Sequence, residues 1–132
     1  MRFQQSVAIV TGGGSGIGKA TAERLAREGA SVIIVGRTKE KLDRAAVQIG
    51  QEHPEASVYT FSADVTKEEE VRALEDYVRR EFGKLHVVIN NAGGSADGRI
   101  LEMKMEDWGR SQDLNLSSVF LVSKILSPLL IE

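Results

Sequence analysis

The 132-residue sequence contains no cysteine. That excludes a disulfide framework, a thiolate metal site and a cysteine nucleophile, and it fits a reducing cytosol. An excess of one charge is also lacking. Seventeen Lys and Arg against nineteen Asp and Glu give a net charge of -2, so no basic field is available to hold a nucleic acid or an anionic membrane by charge alone. Long hydrophobic runs are absent too. Aliphatic stretches such as Val32 to Val35 fall far short of the roughly 20 residues of a membrane span, and no signal-peptide-like segment precedes the first glycines. His53 and His86 show neither the clustering nor the spacing of metal ligands, so no metal is expected. What remains is 42% hydrophobic and 27% charged residues, the balance of one soluble globular domain. At this length about two-thirds of the unfolded chain's surface can be buried, enough for a core without metal or disulfide support.

Ser6 to Val10 is a β-branched and apolar run that stops at Thr11 and three glycines, which predicts a buried strand ending in a tight turn. From Ile17 to Gly29 the pattern is helical. Ser31 to Val35 predicts a second buried strand, and Thr38 is placed to cap a helix through Gln51 with Leu42, Ala45, Ala46 and Ile49 inward. Ser57 to Phe61 predicts a third strand. Thr66-Lys67-Glu68-Glu69 fits a capping box opening a helix with Val71, Leu74, Val78 and Phe82 as its stripe. Leu85 to Ile89 predicts a fourth strand, running into Asn90-Asn91-Ala92-Gly93-Gly94. After a stretch to Met103 that reads as mobile, one helix is expected over Glu106 to Ile131, with Trp108 expected in the core. Strands alternating with helices imply an α/β fold, a parallel sheet with helices on both faces and right-handed crossovers.

Thr11-Gly12-Gly13-Gly14-Ser15-Gly16-Ile17-Gly18 lies between the first strand and the first helix, where such a sheet binds a dinucleotide. Gly12 permits the sharp turn, Gly16 removes a Cβ that would hold the backbone away from a pyrophosphate, and Gly18 lets the helix approach the strand. The pyrophosphate would sit at the positive amino end of the helix. Gly14, Ser15 and Ile17 complete the candidate cofactor-binding residues of this turn; a flexible glycine loop is the bland alternative. Asp64 reads equally as a cap for the helix near Thr66, and Asn90 and Asn91 as turn residues tolerant of left-handed backbone. Asn115 falls inside an otherwise apolar helical pattern, where asparagine disfavours the helix by several tenths of a kcal/mol relative to alanine. It is a site residue or a polar residue bonding locally.

TGGGSGIG, the Asp64-Val65 pair, NNAG at Asn90 to Gly93, and Asn115 in the long helix together resemble the short-chain dehydrogenase/reductase family, in its short branch. The resemblance covers the chain from Gln5 onward. The segment around Trp108, Asn115 and Pro128 is similar to the 3-oxoacyl-carrier-protein reductase type. The implied fold is a Rossmann-type doubly wound parallel sheet in three α/β/α layers, incomplete over residues 1–132. The implied cofactor contacts are the glycine turn, Asp64 and Val65 at the adenine, and Asn91, Ala92 and Gly93 at the adenosine ribose. Asn115 is implied as a catalytic-site residue, interrupting its helix so that a backbone carbonyl holds a water in a proton relay. The same resemblance implies a nicotinamide dinucleotide and a small carbonyl or alcohol as partners, a cytoplasmic location, and a last helix like half of a homo-oligomer interface.

At the end of the second strand, where an acidic residue usually takes the ribose hydroxyls, the sequence has Gly36-Arg37. A guanidinium there suits a 2′-phosphate through paired hydrogen bonds. A charge-assisted contact of roughly 1.5 to 3 kcal/mol gives about a 10-fold to 150-fold preference for NADP(H). Ser15 stands where many NADP-preferring members carry a second basic residue, and a merely solvated Arg37 would leave NAD equally suitable. Carbonyl reduction in the family uses a serine and Tyr-x-x-x-Lys. The two tyrosines, Tyr59 and Tyr77, are followed four residues later by Ala63 and Glu81, so that motif is missing. The chain is therefore expected to be the cofactor-binding half of an NADP(H)-dependent oxidoreductase; the alternative is a naturally short, catalytically silent nucleotide-binding module.

Overall fold

The computed structural model describes residues 2–93 and 99–131. Within them the order is β1 (Val7–Thr11), α1 (Gly16–Arg27), β2 (Ser31–Gly36), α2 (Lys39–Glu52), β3 (Ser57–Ser62), α3 (Glu68–Glu81), β4 (Val87–Ile89), α4 (Met105–Gln112), a π turn (Asp113–Ser117) and α5 (Ser118–Ile131). The four strands pair in parallel in the order β3-β2-β1-β4. The chain thus winds outward from β1 through β2 to β3, then crosses back to place β4 on the other side of β1. That reversal opens a crevice at the carboxyl ends of β1 and β4, the switch point of a doubly wound sheet.

The side-chain period of two sorts the central strands between two apolar layers. Val7, Ile9, Ile33 and Val35 pack with Val71, Leu74 and Val78 of α3 and with Val122, Ile125, Leu126 and Leu129 of α5. Their neighbours Ala8, Val10, Val32 and Ile34 pack with Ala22, Leu25 and Ala26 of α1 and with Leu42 and Ala45 of α2. This is the expected three-layer arrangement. Each fully buried Ile, Leu or Val contributes about 1.5 to 3 kcal/mol, so the two layers hold the sheet rigid beneath the crevice.

Several local expectations change. The capping box does not form: Lys67 is the N-cap of α3, without a side-chain cap bond. Thr66 instead donates from its N–H (3.0 Å) and hydroxyl (2.6 Å) to Asp64 Oδ1, and Glu70 Oε1 accepts the Asp64 N–H at 2.9 Å. Asp64 therefore organises the loop before the helix rather than capping it. Thr38 is the N-cap of α2 by position, again without a side-chain cap bond. β4 is shorter than expected because the ring of His86 takes a ladder position, its Nδ1 accepting the Val7 N–H at 2.9 Å. The His86 N–H donates to the Val7 carbonyl at 2.9 Å.

The single helix expected over Glu106 to Ile131 is divided by the π turn. Trp108 is 52% exposed rather than core, because α4 buries none of its residues. The 27-residue helical run Met105–Ile131 is long and apolar enough to cross a membrane by length and composition, which no purely aliphatic run in the sequence suggested. Its buried side chains Val122, Ile125, Leu126 and Leu129 are spent on the sheet. The expectation of a mobile stretch falls partly on residues 94–98, outside those described.

Candidate functional site

The site is built where β1 must turn at once into α1. Gly12 adopts a φ of +67°. A Cβ on Gly12 would stand 2.8 Å from the Asn91 carbonyl oxygen; one on Gly18 would stand 2.1 Å from the Gly12 carbonyl oxygen and 2.5 Å from Asn91 Nδ2. Only glycine fits either place, and Gly18 does allow the close approach of helix to turn. Gly16 differs: its φ is +56°, and nothing lies within 4 Å of its missing Cβ, so conformation demands the glycine and the space beside it is open. Gly13, which the sequence reading left unassigned, is a packing residue whose Cβ would meet the Ile34 side chain at 2.6 Å.

Thr11 is the principal residue that sequence reasoning missed. Its side chain is buried, and its Oγ1 accepts the N–H groups of Asn91 and Ala92, each at 2.9 Å, while donating to the Ile89 carbonyl at 3.4 Å. One hydroxyl thus ties the glycine turn to the end of β4. Asn91 completes the tie by donating from Nδ2 to the Gly12 carbonyl at 3.4 Å. The available signal was a hydroxyl at the last position of a buried apolar strand, where a valine would otherwise serve.

α1 begins at an N-cap, Ser15, that makes no side-chain cap bond, and its first turn carries no acidic residue. The first N–H groups of the helix therefore keep their capacity for an anion. Ser15, Gly16 and Ile17 are exposed at this end. Beside them a cleft of about 130 Å³ is lined by Gly12, Val35, Gly36, Arg37, Ala63, Asp64, Val65, Ala92, Gly93 and Leu114. It gathers Gly12, Arg37, Asp64, Val65, Ala92 and Gly93 from the sequence-derived set. Asn91 holds the turn from the β4 side, and Gly14, Ser15, Gly16, Ile17 and Gly18 form the adjoining turn and helix start rather than the cleft wall. Leu114 enters from the π turn, which no sequence pattern signalled.

Burial pushes the Asp64 carboxyl up, but the two bonds from Thr66, with Arg37 and Lys67 nearby, outweigh it and hold it below the ordinary carboxylate range. Arg37 is exposed at the mouth, and its carbonyl accepts the Ser62 hydroxyl at 3.2 Å. Asn115 lies in the π turn and does not line the cleft. Its Nδ2 donates to the Ser111 carbonyl at 2.9 Å, while its Oδ1 stands 2.6 Å from the position of a Cβ on Gly93. The helix interruption at Asn115 is therefore present, and it abuts the cleft through Gly93. Ser118 closes the turn by donating to the Leu114 carbonyl at 2.6 Å.

One residue departs from its expected isolation. His53, read as unclustered, bonds Glu23 through Nε2 at 3.0 Å and has Glu52 close by. Tyr77 packs against Phe61 and Phe82 with ring centroids 5.0 and 6.1 Å apart, and burial raises its phenol.

A family model described as short chain dehydrogenase matches residues 6–132. An uncharacterised oxidoreductase of Staphylococcus aureus is 39% identical over 126 residues, covering 96% of this chain and 53% of that protein. A 3-oxoacyl-[acyl-carrier-protein] reductase of Thermotoga maritima is 36% identical, covering the whole chain and 53% of the reductase. The crystal structure of NAD+-bound xylitol dehydrogenase superposes with a TM-score of 0.91 at 33% identity, covering 99% of this chain and 50% of that one. The chain thus spans about half the length of the relatives it matches.

Proposed function

The chain belongs to the short-chain dehydrogenase/reductase family, and on that premise we propose that it is the cofactor-binding part of an NADP(H)-dependent oxidoreductase interconverting a carbonyl and an alcohol. The observation that carries this is the glycine turn. Its Gly12 and Gly18 exclude any Cβ, its helix start is uncapped, and it opens on a cleft with Arg37 and Asp64 at the mouth. A dinucleotide fits these residues: a flat backbone ledge and free N–H groups for the diphosphate, a guanidinium for a 2′-phosphate, and a carboxylate with an apolar neighbour for the adenine edge. When bound, the nicotinamide supplies or accepts the hydride.

The chain's own part is binding and orientation. The turn residues Gly14, Ser15, Gly16 and Ile17 present N–H groups to the diphosphate, Asp64 and Val65 meet the adenine, and Asn91, Ala92 and Gly93 line the ribose. Asn115 serves the proton path by keeping the helix open at the π turn, so that a main-chain carbonyl holds a water. Neither tyrosine is a proton donor here: Tyr77 is occupied in an aromatic cluster, and neither precedes a lysine by four residues. The similar reductase and xylitol dehydrogenase support a carbonyl–alcohol conversion as the reaction class. The reading implies a cytoplasmic protein, and the exposed Met105, Trp108, Leu116 and Phe120 support a homo-oligomer through the α4–α5 face.

Calorimetric titration with NADPH and NADH tests the cofactor assignment. Arg37→Ala is expected to narrow the affinity gap between them by about 10-fold to 100-fold. Equal weakening of both removes Arg37 from the phosphate role, and no binding of either overturns the dinucleotide site.

A further inference from the structure

Ser15 supplies no positive charge inside the glycine turn, so a 2′-phosphate held by Arg37 alone would keep part of its charge unmatched. The fold brings the stem of a second cationic side chain against the glycine turn from another element. Lys41, in the first turn of α2, lies against the glycine turn: its Cβ is 3.6 Å from the position of a Cβ on Gly14. Arg37, four positions earlier, lines the cleft beside Gly12 and Gly36. Arg37 and the stem of Lys41 therefore flank the turn from the end of β2 and from α2, with Lys41 just outside the cleft lining.

The intervening basic residue is committed elsewhere. Lys39 donates to Asp43 Oδ2 at 2.7 Å, and Asp43 also accepts the Thr60 hydroxyl at 3.2 Å. Among the described residues the Lys41 side chain forms no ion pair or hydrogen bond. It also faces the positive amino end of the α2 dipole, a placement unfavourable for a cation until an anion binds beside it. A flexible stem and a compact ammonium suit a phosphate approached from variable angles, whereas the Arg37 fork suits two fixed oxygens.

We propose that Lys41 is the second cation of the adenosine 2′-phosphate site and that cofactor choice is set by the Arg37–Lys41 pair. The inference rests on the cleft being a dinucleotide site. Its test uses the whole chain, titrated calorimetrically with adenosine 2′,5′-bisphosphate and with adenosine 5′-monophosphate, two probes that differ only in the 2′-phosphate. Lys41→Gln is expected to weaken the bisphosphate by about fivefold to tenfold, leave the monophosphate unchanged and flatten the salt dependence of bisphosphate binding. Lys41→Arg restores most of the loss, and Lys39→Gln changes neither ligand. If Arg37→Ala abolishes the preference for the bisphosphate while Lys41→Gln leaves it intact, Lys41 is overturned and the cleft reading stands. If Lys41→Gln weakens both probes equally, its role at the 2′-phosphate is likewise overturned. If the unaltered chain binds the two probes equally, the NADP reading and the Lys41 assignment fall together.

Discussion

The glycine turn and the α4 helix are both rich in residues that a sequence reader singles out, yet they are built in opposite ways. In the turn, Gly12, Gly13 and Gly18 each face an atom within 3 Å of a would-be Cβ, and Thr11 has all its hydrogen-bonding capacity committed. In α4, Gly109 has nothing within 4 Å, Trp108 is half exposed and no residue is buried. The difference teaches that identity is forced where backbone meets backbone. An apolar pattern on a helix, by contrast, says only that one face is apolar and leaves open what covers it.

The comparison breaks most sharply at its glycines. Gly18→Ala drives a methyl into the Gly12 carbonyl, which is backbone and cannot swing aside, and against the Asn91 side-chain amide. Urea denaturation is expected to show a loss of roughly 3 kcal/mol, the upper part of the range for overpacking, with dinucleotide binding lost alongside. An unchanged midpoint would mean the turn and helix can separate. Thr11→Val keeps the shape but strands two N–H groups at the β4 end, for an expected loss of about 2 kcal/mol in the same measurement. Gly109→Ala should do the reverse. With open space beside it in a helix interior, the methyl is expected to raise stability by about 0.5 to 1 kcal/mol. Destabilisation by Gly109→Ala would show that α4 is packed after all.

What the sequence made legible follows the same division. The parallel sheet with helices on both faces, the alternate faces of Val7 to Val10 and the glycines of the turn follow from local rules of period, propensity and positive φ, whereas the doubly wound order came with the family resemblance. Arg37 was placed at the cleft because the end of the second strand positions it, and Asp64 through the family resemblance. Thr11, Leu114, Lys41 and Gly13 were not legible in their roles, since each acts on a segment distant in sequence. The capping box failed for a local reason that pattern cannot weigh: Asp64 accepts both the Thr66 N–H and its hydroxyl, which holds the threonine to the preceding loop instead of leaving its oxygen to accept an N–H of the helix start. Trp108 was misplaced because helical periodicity identifies a face without its partner.

The smallest expected effect tests how far that same Asp64 loop belongs to the tightly built region. Asp64 is held below the ordinary carboxylate range in the folded chain, against burial, by Thr66, Arg37 and Lys67. As pH falls the unfolded chain takes up this proton first, so protonation favours unfolding. The contribution is fully present above the ordinary aspartate value near 4 and is lost as pH falls below it through the depressed folded value. Asp64→Asn keeps a side-chain oxygen that accepts from Thr66 while removing the charge. Stability measured from pH 6 down to about pH 3 should therefore decline slightly less steeply in Asp64→Asn than in the unaltered chain. Parallel curves would show that the Thr66 bonds and the Arg37 and Lys67 charges do not distinguish the folded from the unfolded carboxylate. The loop would then join α4 on the loosely determined side of the molecule.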